Sequence, residues 1–117
     1  MASLKNVKYV VVLVTCPTRA VARRLATRLI ARRLAACVNI IPLIESVFRW
    51  QGKTEHARET LLVIKTTHAR FPQLKQQMIA LHPYDVPEII ALPLIAGHPP
   101  YLRWIASSVV SLGSVLN

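Results

Sequence analysis

The sequence predicts an α+β sandwich, with a layer of helices packed on one mixed sheet. Three observations carry that reading. Residues 7–15 are β-branched and almost wholly apolar, and a helix-period segment follows at once. Two extended stretches, 37–50 and 54–67, are joined by the short turn Gln51-Gly52-Lys53, the pattern of a β-hairpin. A second helix-period segment then runs through a proline-bracketed bend straight into another apolar strand.

Taken in order, residues 7–15 read as a central strand covered on both faces, because no polar side alternates with the apolar one. Pro17 suits the first position of a helix, and Val21, Leu25 and Leu29 recur at four-residue spacing, which predicts an amphipathic helix over 17–34. Arg19, Arg23, Arg24, Arg28, Arg32 and Arg33 fall on its opposite face. In the strand over 37–50, Pro42 cannot donate to a ladder and implies an edge position or a bulge. Phe71, Leu74, Met78 and Leu81 mark a second helix over 70–82, and a strand follows over 88–95. Gly97-His98-Pro99-Pro100 breaks the chain, and a last helix starts at Tyr101. The order βαββαβ plus a terminal helix is that of a ferredoxin-like sandwich with an antiparallel sheet and a long hairpin between its second and third strands.

Length and composition agree. The 117 residues suit a single domain with its core over about 7–110, and 53% apolar content against 17% charged excludes a disordered polyelectrolyte. So much apolar surface exceeds the needs of one small monomer. The hairpin, moreover, carries Ile40, Leu43, Val47, Leu61 and Val63 on mixed parity, so self-association through the sheet is expected. Two cysteines form no disulfide framework, and a reducing cytoplasm is expected. The apolar run before Cys16 is short and Val-rich, a buried strand rather than a signal segment, and no run approaches the about 20 residues that span a bilayer. The net charge of +10 raises nucleic acid or an anionic surface as a partner of the arginine face. No aromatic side chain interleaves with those arginines, so single-strand stacking is not supported, and a solvated basic face is the plainer reading.

Six segments, in order and at matching spacing, carry a resemblance to a known family: Val11 to Pro17, Leu34 to Pro42, Phe48 to Lys53, Leu61 to Thr66, His82 to Glu88, and Tyr101 to Ile105. They resemble the CutA family of divalent-cation tolerance proteins over about residues 9–108. The resemblance implies a ferredoxin-like protomer, a tight homotrimer similar in architecture to the nitrogen-regulatory PII proteins, and a link to tolerance of copper and other divalent cations. It implies no reaction and no organic cofactor. The chain departs from the family pattern in having Thr18 where relatives carry Asp or Asn, and in a first helix with arginine and no acid.

Candidate site residues follow from both readings. Cys16 falls at the start of a helix beside Arg19, where the dipole favours a thiolate fit for soft metals; the alternative is a small buried residue at a strand end. His82 ends the second helix and is either a second metal ligand, for copper or another weakly bound divalent cation, or a cap of that helix. The resemblance places Trp50, Lys65, Tyr84 and Glu88 near a lateral cleft between protomers, where they would line a small-ligand pocket; a structural Lys65–Glu88 ion pair is the alternative. His56, His68 and His98 lack ligand spacing, and Cys37 reads as packing. No nucleophile elbow or phosphate-binding glycine loop is present, so no catalytic residue is assigned. The expected function is a trimeric, non-enzymatic metal or small-ligand binder, with nucleic-acid binding or a scaffold for a protein partner as alternatives.

Overall fold

The computed structural model of the protein describes residues 6–110. Strand β1 (Tyr9–Cys16) lies inside a four-stranded antiparallel sheet, flanked by β3 (Lys53–Thr67) and β4 (Ile89–Pro93), with β2 (Cys37–Trp50) on the far side of β3. The order β2-β3-β1-β4 is the ferredoxin-like one. The register pairs Val12 with Ile64 on one side and with Ala91 on the other. Alternate residues Val10, Val12, Val14 and Cys16, with Leu62 and Ile64, lie under helices α1 (Arg19–Ala31) and α2 (Phe71–Leu81). These helices contribute Ala22, Leu25, Leu29, Leu74 and Met78. Each large aliphatic side chain removed from water there contributes about 1.5–3 kcal/mol.

The expectation that β1 is covered on both faces holds for one face only within the chain. Val11 and Leu13 point to the other face, where Ile41, Ile90 and Leu92 are 43%, 49% and 48% exposed.

Local chemistry sets the boundaries. Helix α1 begins later than its period suggests because Thr18 is its N-cap: Oγ1 accepts from Val21 N–H at 3.1 Å, leaving Pro17 outside the helix. It ends earlier because Arg33 takes φ 55°, and Leu34 N–H and Arg33 N–H close on the Leu29 and Ile30 carbonyls, each at 3.0 Å. Arg33 is therefore not part of the free basic face. Its guanidinium clamps helix α3 (Pro99–Ser108) through the Ser107 and Ser108 carbonyls at 2.9 and 3.2 Å. Pro99 and Pro100 open α3 instead of breaking the chain before it, since a helix's first N–H groups need no partner.

The hairpin has two irregularities, and the sequence marks both. Gln51 and Gly52 have φ of 51° and 79°, a two-residue I′-type turn whose twist matches that of the strands. At Pro42-Leu43 the register of β2 against β3 shifts, a bulge with Leu43 at φ 62°. The shift inverts parity. Before it, Asn39 and Ile41 share a sheet face with Val63 and Leu61; after it, the even-numbered Ile44, Ser46 and Phe48 share that face with Glu59, Ala57 and Glu55.

Candidate functional site

The bend after α2 is anchored before it is shaped. His82 is buried, and its Nε2–H donates to the Thr15 carbonyl at the end of β1, at 2.8 Å. Its Nδ1 accepts from the Tyr84 N–H at 3.0 Å. Because one partner only accepts and the other only donates, the tautomer is fixed and both ring nitrogens are used. Tyr84 packs on the imidazole with ring centroids 4.8 Å apart, and its hydroxyl donates to Glu59 Oε2 at 2.8 Å. Glu59, 8% exposed, thereby ties the bend to β3.

Around this anchor lies an open cleft of about 910 Å³ between the hairpin and the bend. Glu55, Glu59, Asp85 and Glu88 line it, four of the five acidic residues in the chain. None of the described Lys or Arg residues lines it, in a chain with a net charge of +10. Phe48, Trp50 and Tyr84 supply aromatic walls, and His56 stands at the hairpin side. The potential in such a cleft favours cations against the charge of the whole molecule.

Trp50, Tyr84 and Glu88 all line this cleft. Lys65 is elsewhere. It pairs in register with Val11 and Cys37, and its ammonium donates to Asn39 Oδ1 instead of forming the Lys65–Glu88 ion pair. Cys16 is 0% exposed, and its thiol is pushed up to about 11, first by burial and then by the Glu59 carboxylate. That direction is opposite to the thiolate expected from a helix start. Buried apolar surroundings outweigh the dipole, because Cys16 precedes the Thr18 cap and points under the helices. With both nitrogens of His82 engaged, Cys16 and His82 present no free ligand pair within the chain. Among the described residues no three His, Cys, Asp or Glu side chains converge on a metal position. Carboxylates with His56 are chemically suited to a divalent cation, but one chain does not close a coordination sphere.

The sequence reading missed Glu55, Glu59, Asp85, Phe48 and His56 as site residues. A signal existed: period-two alternation puts Glu55 and Glu59 on one face of β3, opposite Phe48 and Ile44. Choosing that face required the bulge.

The Cys16 thiol yields a test. With Cys37→Ala in place, a thiol reagent at pH 8 is expected to modify Cys16 only as fast as the protein unfolds; rapid native-state labelling contradicts the burial. The pH dependence has a defined sign. Cys16 is raised from 9.0 to about 11, and Tyr84 is raised from 10.0 to about 12 by burial and then by Glu59. Both groups are neutral when protonated and charged when not, so the folded state holds its protons to higher pH than the unfolded chain does. The stability at stake is therefore unaffected below the unfolded values and falls as pH climbs from about 9 to about 12. Urea midpoints are expected to fall across that window, and Tyr84→Phe to flatten the upper part.

An antiparallel ferredoxin-like sheet, helices on one face and an acidic, aromatic-walled cleft at the hairpin define a small α+β protein. The family model "CutA1 divalent ion tolerance protein" matches residues 10–108, and the chain belongs to that family. It is 53% identical over 95 residues to the divalent-cation tolerance protein CutA of Thermus thermophilus, covering 81% of this chain and 92% of that protein. Protein CutA of Mus musculus is 45% identical over 106 residues; the match covers 88% of this chain and 60% of the mouse protein's length. The solved structure of the Thermus thermophilus protein superposes with TM-score 0.86 at 49% identity, over 87% of this chain and 99% of that one. The CutA1 crystal structure from Oryza sativa gives 0.87 at 46%, over 90% and 96%.

Proposed function

We propose that this CutA1-family chain acts in divalent-cation tolerance as a trimeric, non-catalytic binding protein of the cytoplasm. Its cation seat is the cleft between the hairpin and the Pro83–Glu88 bend. One observation carries the reading: four of five acids, and none of the described Lys or Arg residues, line one cleft of a strongly basic protein. A divalent ion enters there with part of its water shell, held by one or two carboxylates, with the remaining positions filled by water or a neighbouring copy. Copper fits as Cu(II), which accepts carboxylate and imidazole. Cu(I) prefers thiolate, and Cys16 remains a buried thiol at neutral pH. Apolar exposure at Ile41, Ile90 and Leu92 supports closure of the open sheet face by other copies.

Calorimetric titration with Cu(II) in a non-chelating buffer tests this. Glu55→Gln with Asp85→Asn is expected to weaken binding about tenfold, or about 1.4 kcal/mol, while Cys16→Ala leaves it within about twofold. Equal affinity in wild type and the double variant would falsify the cleft as the cation seat.

A further inference from the structure

We infer that the exposed face of α1 is a docking surface for the phosphate backbone of a double-stranded nucleic acid. The helix carries no acidic residue, and its apolar side, Ala22, Leu25, Ala26 and Leu29, is turned into the core. Arg19, Arg23, Arg24, Arg28 and Arg32 are all exposed. Arg24, Arg28 and Arg32 are four residues apart, a spacing at which like charges repel by a few tenths of a kcal/mol per pair. Nothing in the helix offsets this. Among the described residues, Arg32 donates to the neutral Gln77 Oε1 at 2.6 Å, and four of the five acids are gathered in the cleft at the hairpin. Arg23, Arg24, Arg28 and Arg32 border a shallow open trough of about 650 Å³ together with Thr27.

The composition of the face selects the polyanion. An interfacial membrane helix needs a broad apolar face to bury, and Ile30, at 42%, is the one large apolar side chain exposed on α1. Single strands are held by stacking on aromatic rings, and α1 carries none. What remains is a row of planar guanidinium forks, which match phosphate oxygens two at a time. From Arg24 to Arg32 the helix rises about 12 Å, at about 1.5 Å per residue. That equals about three to four base-pair steps along the axis of a duplex. Readout of base sequence is not implied.

The test is duplex binding measured by fluorescence anisotropy at several salt concentrations, with the full chain. Wild type is expected to bind with a log–log salt slope of about −3.6 at most per engaged face, for four neutralised phosphates. Arg23→Gln/Arg24→Gln/Arg28→Gln/Arg32→Gln is expected to lose most of the binding and the slope. A charge-matched control, Lys53→Gln/Arg58→Gln/Lys75→Gln/Arg103→Gln, is expected to keep both, with circular dichroism confirming that each variant is folded. No duplex binding at about 50 mM salt, equal loss in the control, or tighter binding to anionic vesicles than to duplex would each overturn the inference.

Discussion

Replacing His82 by alanine is expected to lower stability by about 2–4 kcal/mol and, because the bend loosens, to weaken Cu(II) binding less than the Glu55→Gln/Asp85→Asn pair does. The side chain is buried and serves two backbone groups, the Thr15 carbonyl at 2.8 Å and the Tyr84 N–H at 3.0 Å. Its removal leaves both without a partner beside a new cavity, and each unsatisfied buried group costs about 1–3 kcal/mol. It also releases Tyr84, which holds Glu59 across the cleft. Urea midpoints at fixed protein concentration measure the first quantity and titration the second. If binding were lost while the midpoint stayed put, His82 would be a metal ligand and its anchoring role would be refuted.

Ile41→Glu with Leu92→Glu is expected to reduce the particle to single protomers of 13.1 kDa, against three times that mass for wild type at micromolar concentration by light scattering. Both residues lie on the open sheet face and are 43% and 48% exposed in the lone chain, so the substitutions do not disturb its core. In the proposed trimer each new carboxylate becomes buried without a partner, at a cost of several kcal/mol, repeated in every copy. Wild type at protomer mass, or a variant that remains trimeric, would end the proposal that copies close over this face.

The resemblance names Trp50, Tyr84 and Glu88, and the fold brings them together. It also names Lys65, which within the single chain lies away from them. That difference is one of sheet geometry. Tyr84 and Glu88 travel together on one stiff bend, whereas Lys65 lies six residues along β3 from Glu59, about 20 Å at about 3.3 Å per residue. Cys16 illustrates a second limit. Position in the chain suggests an activated thiol, but only packing shows which way the side chain points, and burial decides its charge state.

Element order, strand count, the hairpin turn and the two core-facing stripes were determined by the sequence alone, because periodicity and turn chemistry are local properties of the chain. The cleft was not. It depends on a bulge at Pro42-Leu43 that inverts the parity of β2, and on a buried histidine whose ring bonds to a carbonyl 67 residues away, pinning the bend to β1. Both are long-range steric outcomes. They gather Glu55, Glu59, Asp85 and Glu88, which lie scattered in the sequence, around one space only once the sheet has formed.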